Sequence, residues 1–305
     1  MASPNYRVVS ASLLLFLVAG IAACGASKPA ATAKEGSHSH AGSRGPAALL
    51  PASVRRSGVV TVATDYPFPP WEYLGSNSRL TGFDYDLGQA LGKVLAVKFR
   101  FEQQSFAGII PGLQAGKYDI AISSITDNIA REHVVTFVDY ALSKGALLVL
   151  HGNPHHLGQP STWCGQTLAI QSGTVASGNI AQANKICKAN HKSAVRTKIY
   201  PSSSSTQLAV RSGAAAANLN DGASLAFIQK SVGTGNAFTV VQYTAPWNSP
   251  ALIGIAVPKA QAQLVKAIRA ALQKIISTGA YHRIAAKYGM LPYTLTSAQV
   301  NGAAS

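Results

Sequence analysis

The sequence predicts an α/β protein with mostly parallel sheets, and two observations carry this. Short runs rich in β-branched residues alternate with stretches whose apolar residues recur every three to four positions, the pattern of strands joined by crossover helices. The chain has 305 residues, and removal of a leader and tether leaves about 250, enough for two modest domains with separate cores.

Taken in order, VVTVAT at 59–64 reads as a strand whose end delivers Asp65, Tyr66 and Phe68 to a loop, where Pro67, Pro69 and Pro70 forbid helix. Phe83, Leu87, Leu91 and Leu95 recur every four residues and predict a helix with one apolar stripe against the sheet. Ile109, Ile110 and Leu113 begin a second helix closed by Gly116. The strand predicted at 118–122 ends among the hydroxyls of Ser123, Ser124 and Thr126, and Arg131 follows on the next helical turns. An arginine so placed suits a small carboxylate, because its guanidinium donates two parallel hydrogen bonds that a lysine cannot match. Ligands of parallel α/β sheets bind beyond the carboxyl ends of the strands, where Asp65 and Thr126 fall. After residue 150 the chain changes character, and 165–181 reads as a strand and loop containing Gln171, Ser172, Gly173 and Thr174. Residues 253–257 form a further strand, and Leu264, Val265, Ile268, Leu272 and Ile275 mark an amphipathic helix.

The N-terminal segment reads as an export signal. Arg7 precedes an apolar run at 8–23 that is short for a spanning helix, and small residues before Cys24 match a lipoprotein cleavage site. Cys24 is then the lipidated N-terminus and 24–52 a flexible tether rich in Ala, Ser, Gly and His. Cys164 and Cys187 remain as an even pair, and export makes a disulfide the expectation, worth about 3 kcal/mol for a loop of that length. Two buried free thiols are the alternative. The formal net charge is +15, but the Lys and Arg are scattered without an aromatic-interleaved patch, which argues against nucleic acid and for attraction to an anionic envelope surface. His38 and His40, with His151, His155 and His156, lack acidic or cysteine partners, so no metal site is expected. No nucleophile with a positioned base and no Gly-rich phosphate loop is present, and no cofactor is implied.

Three segments in register, VVTVATDYPFPPWEY at 59–73, LTGFDYDLGQALGKVL at 80–95 and SFAGIIPGLQAGKYDIAIS at 105–123, resemble the first lobe of extracellular solute-binding proteins, family 3, of polar amino acid ABC transporters. The resemblance extends over about 59–290. It implies a two-lobed, type II periplasmic-binding-protein-like fold, each lobe a mixed, mostly parallel sheet flanked by helices and joined by a two-strand hinge. The implied boundaries are a signal at 1–23, tether 24–52, lobe 1 at 53–148, lobe 2 at 149–244, hinge return and lobe 1 at 245–292, and a tail at 293–305.

The same resemblance assigns roles. Arg131 clamps a ligand carboxylate with Ser124, Thr126 and Thr174; Asp221 takes the α-ammonium; Phe68, Trp71 and Phe106 stack on the side chain. Asp65 leans toward a cationic side chain, while the hydroxyls and Asn248 would suit glutamine or asparagine. Each role has a structural alternative: Asp221 as the N-cap of the helix containing Leu225 and Ile228, Gly173-Thr174 as a common turn, and the aromatics as core. Family members often carry a comparable cysteine pair. The function implied is a monomeric, lipid-anchored extracytoplasmic receptor that hands a polar amino acid to an ABC permease. An exported dehydratase on the same scaffold and a sensor for a signalling protein are the alternatives, with Glu72, Glu102 and Glu132 judged too few and too surface-like for catalysis.

Overall fold

A computed structural model describes residues 45–303. The signal segment, most of the tether, Cys24, His38 and His40 lie outside the described residues.

A 3-10 turn, Pro46–Leu49, and α1, Ala52–Ser57, lead into β1, Val59–Thr64. There follow β2, Tyr73–Leu74, β3, Leu80–Thr81, α2, Phe83–Leu95, and β4, Lys98–Gln103. Lobe 1 continues through α3, Phe106–Gln114, β5, Ile120–Ala121, the single-turn α4, Ile129–Glu132, and β6, Val135–Ser143. Lobe 2 comprises β7, Gly145–Leu150, β8, Thr167–Gln171, α5, Ala176–Ala189, and β9, Arg196–Tyr200. It is completed by α6, Ser203–Arg211, β10, Ala217–Asp221, α7, Gly222–Ser231, and β11, Phe238–Gln242. The chain returns to lobe 1 with β12, Ala251–Pro258, α8, Ala262–Ser277, α9, Ala280–Lys287, and β13, Thr294–Val300.

Lobe 1 is a six-stranded sheet in the order β13-β6-β12-β5-β1-β4, and lobe 2 a five-stranded sheet in the order β11-β7-β10-β8-β9. The crossover-connected strands pair in parallel, β1 with β4 and β5, and β8 with β9 and β10. The strands that carry the chain between lobes pair antiparallel, which makes both sheets mixed. The α2 stripe is real: Phe83, Leu87, Leu91 and Leu95 are all at most 1% exposed. With the buried stripe of α8 they fill one face of the first sheet, burying apolar area at about 25 cal/mol per Å². Lobe 2 has its own core around Trp163, Leu168 and Ile170, to which the Cys164–Cys187 disulfide belongs.

The lobes meet at two crossings. The chain leaves β6 for β7 at Lys144 and comes back over 243–250. Asn248 ties the two together: its side chain accepts from the Gly145 amide at 2.9 Å and donates to the carbonyls of Gly145 and Tyr243 at 3.0 and 3.1 Å.

The structure draws three boundaries differently from the sequence. Residues 145–148 belong to β7 of lobe 2, because their pairing partners are β10 and β11. Residues 294–300 are not a tail but an edge strand on β6. The 24–52 segment ends in a docked turn, where Leu50 is 2% exposed in the lobe 1 core. In each case long-range partners that local sequence does not name decide the conformation.

Candidate functional site

The carboxyl ends of β1, β5, β8 and β10 converge between the lobes on a cavity of about 260 Å³. Its lining includes Asp65, Phe68, Phe106, Ser124, Thr126, Arg131, Thr174 and Asp221 of the sequence-predicted set. Trp71 is placed elsewhere. It is 0% exposed in the lobe 1 core, and its indole Nε1–H donates to Asp221 across the cleft at 2.9 Å.

Arg131 sits on α4, whose single turn is capped by Asn128 accepting from the Arg131 amide. Its guanidinium donates to the carbonyl of Thr126 at 2.7 Å and, across the cleft, to that of Gly173 at 2.9 Å, and lies 5.6 Å above the Phe106 ring. Both polar contacts are neutral carbonyls, so several of its five donors stay available. Among the described residues no carboxylate forms an ion pair with it. Burial lowers its pKa to about 10, with Asp127 opposing, and it remains a cation at neutral pH.

Phe106 is the first residue of α3, and the α3 N-terminus meets the lobe 2 loop after β8, where Gly173 lies against Ala107. Gly173 lies at φ +80°, and a Cβ there would come within 2.8 Å of the Ala107 backbone. Only glycine allows this close approach of the lobes. Thr174 turns its hydroxyl back on the Gln171 carbonyl at 2.8 Å just before α5.

Asp65 follows β1, its amide donating to Ser123 Oγ at 2.9 Å. Gln171, at the end of β8, reaches across the cleft and donates Nε2 to Asp65 at 2.6 Å. Burial raises the Asp65 pKa, while the Gln171 side chain and the Phe106 amide favour the ionised form. Asp221 ends β10 and is both things the sequence allowed: it caps α7 by accepting from the Ser224 amide at 2.7 Å, and it faces the cavity. It also accepts from Ser143 Oγ, and burial raises its pKa against these hydrogen bonds.

Sequence reasoning missed Glu72 and Gln171. Glu72, surface-like by sequence, is 0% exposed and lines the cavity. Its Oε1 accepts from Ser123 Oγ at 2.6 Å, and its Oε2 has no partner. Burial and the neighbouring Asp84 hold its carboxyl well above the usual range. The Pro-Pro-Trp-Glu run gives no local sign of this, since its neighbours are Asp84 of α2 and Ser123 after β5. Asp127, with both oxygens unpartnered and its pKa pushed to about 8 by burial beside Asp139 and Glu132, is a second carboxyl at the cavity wall raised above its usual range. No group of three His, Cys, Asp or Glu among the described residues is arranged to hold a metal ion.

Known proteins share this architecture. The arginine-binding protein ArgT of Corynebacterium glutamicum is 30% identical over 256 residues, covering 83% of this chain and 82% of that protein. The L-arginine-binding protein of Pseudomonas aeruginosa is 26% identical over 235 residues, covering 75% and 87%. A solved ancestral arginine-binding protein bound to arginine is similar at a TM-score of 0.68 and 30% identity, covering 76% of this chain and 98% of that one. An ancestral amino acid-binding protein described as a precursor of cyclohexadienyl dehydratase gives a TM-score of 0.68 at 25% identity, covering 77% and 97%. All four are binding proteins by name. Residues 60–290 match the bacterial extracellular solute-binding proteins, family 3, so the two lobes and the cleft between them are those of a solute-binding protein, and the chain belongs to that family.

Proposed function

We propose that this protein is a membrane-anchored extracellular receptor that binds a cationic amino acid, arginine foremost, between its lobes and delivers it to an ABC importer. The charge inventory of the cavity carries the reading. One unpaired guanidinium, Arg131, faces four acids, Asp65, Glu72, Asp127 and Asp221. Burial holds the Glu72 carboxyl well above its usual range and pushes Asp127 to about 8, which disfavours both as anions. Burial raises Asp65 and Asp221 as well, but each accepts hydrogen bonds that favour its ionised form, so Arg131 with these two acids complements a ligand with one carboxylate, one α-ammonium and one cationic side chain.

In this arrangement Arg131, with Ser124, Thr126 and Thr174, holds the carboxylate, and Asp221 holds the ammonium. Asp65, oriented by Gln171, takes the side-chain cation, and Phe68 and Phe106 sandwich the aliphatic stem. Burying either ligand cation without an acid would cost several kcal/mol. The arginine-binding names of the relatives support the same ligand. Ligand touching both lobes favours closure only by its differential affinity for the closed state; hinge closure of periplasmic binding proteins is a general property of the class. Export by the 1–23 signal, lipidation at Cys24 and monomeric action complete the proposal, and no covalent step enters it.

The test is thermal unfolding of residues 42–305 against a panel of free amino acids. A native-state ligand must raise the midpoint. Arginine is expected to give the largest shift, with lysine and ornithine next. A panel in which only neutral or acidic amino acids shift the midpoint overturns the cationic assignment.

A further inference from the structure

Lobe 2 is poor in acids, although both lobes carry a formal net charge of +6. Residues 149–244 contain seven Lys and Arg but a single acid, Asp221, which is inside the cleft. Nine acids fall between residues 45 and 148. Five of the lobe 2 cations, Lys185, Lys188, Lys192, Arg196 and Lys198, occupy one short stretch, and every one is exposed. They run from the last turns of α5 to the edge strand β9.

This corner is rigid. The Cys164–Cys187 disulfide fastens the end of α5. The Lys192 amide bonds the Cys187 carbonyl at 2.9 Å, the Val195 amide bonds Asn184 at 2.8 Å, and the Arg196 amide bonds the Gln166 carbonyl at 2.8 Å. Thr197 and Ile199 share the α5 face of the sheet with Leu168 and Ile170, and Arg196 and Lys198 the α6 face with Ala169, so the cations come together along the β9 edge. Among the described residues the ion pairs are Arg100–Glu102 and Lys287–Asp86, both in lobe 1, and none of the five lines the interlobe cavity.

We propose that the α5–β9 edge of lobe 2 rests on an anionic phospholipid surface. Four of the five cations are lysines, point charges on flexible stems that suit a fluid layer of headgroups better than the bidentate recognition for which arginine is used. Ile199, 63% exposed, lies on the α5 face of β9, opposite to Lys198, and presents an apolar side chain to the interfacial region on the side of the α5 lysines. The stretch has no interleaved aromatic platform of the sort that binds single-stranded nucleic acid. A cationic edge strand also discourages strand pairing between copies, a role that needs the cations on β9 but not those on α5.

Sedimentation of residues 42–305, one compact unit, with phosphatidylcholine vesicles containing phosphatidylglycerol tests the proposal without any lipid anchor. Binding is expected to the mixed vesicles, not to pure phosphatidylcholine, and to be lost in high salt. The triple variant K185E/K192E/K198E should lower the partition coefficient by about 50-fold or more, since each charge near such a surface contributes about fivefold. The variant K93E/K266E/K274E makes the same change of net charge on exposed lobe 1 lysines and should lose less than about fivefold. Equal losses in the two variants, equal binding to neutral vesicles, no vesicle binding at all, or full competition by soluble polyglutamate would each overturn it. Amino acid binding, measured on the same variants, is expected to be unchanged.

Discussion

Asp65→Asn isolates the charge of the side-chain subsite. The replacement is isosteric and can still accept the Gln171 amide, whose 2.6 Å bond crosses the cleft, so geometry is kept while the charge goes. Removing one partner of a buried, hydrogen-bonded charge pair costs about 2–5 kcal/mol. Asp65 is part-buried and already shares its charge with Gln171 and the Phe106 amide, which places the loss at the low end, about 2–3 kcal/mol or about 30- to 150-fold in Kd for arginine. Citrulline, the neutral isostere with a urea in place of the guanidinium, should change less than about threefold. Titration calorimetry at neutral pH measures both. The empty protein provides a second reading with a fixed sign. Burial raises the Asp65 pKa, so stability contributed by the protonated form is lost as pH rises through that value, the ionised group costs stability at pH 7, and the variant should melt higher without ligand. Parallel losses for arginine and citrulline would refute the assignment of Asp65 to the ligand cation.

Four further outcomes follow from the same geometry. Arg131→Ala should weaken every amino acid ligand by at least about 100-fold with the melting transition of the empty protein retained; unchanged affinity would remove the carboxylate clamp. Trp71→Phe keeps the ring packing but deletes the 2.9 Å bond to Asp221, and stopped-flow release should be about tenfold faster, as a hydrogen bond to a charged group is worth about 1.5–3 kcal/mol. Asp127 is pushed to about 8, and Asp84 and Asp139 to about 6; raised carboxyls stabilise the fold when protonated, so the melting temperature should fall as pH rises from about 4 to about 8, and Asp127→Asn should flatten the upper half of that window. The Cys164→Ala/Cys187→Ala variant should lose about 3 kcal/mol in denaturant unfolding, and an unchanged midpoint would show the closed loop to be irrelevant.

The strands and helices that local pattern specifies were legible in the sequence. Residues 59–64 fold as β1, the every-fourth-residue stripe from Phe83 to Leu95 defines α2 over its whole length, and the apolar periodicity after 262 is α8. Short-range chemistry also placed Asp221 at the end of a strand and the start of a helix, where one carboxylate caps α7 and lines the cleft. What local pattern lacks is the identity of partners far along the chain. The strand at 294–300 exists because β6 offers it an edge, and the strand expected at 118–122 keeps ladder pairing only at Ile120–Ala121.

The same division runs through the site. The kinds of groups, a guanidinium, hydroxyls and acids at strand ends, are written in the sequence, because residue type fixes charge and hydrogen-bonding capacity. Their protonation and company are not. Glu72 has its pKa raised because the fold buries it, and Asp84 from α2 adds to the shift. Trp71 leaves the stacking set because the lobe 1 core takes its ring and Asp221 takes its N–H, and Gln171 enters because lobe closure sets it 2.6 Å from Asp65. Charge, burial and alignment across a cleft depend on atoms separated by 106 residues in that last pair, and only the tertiary structure brings them together.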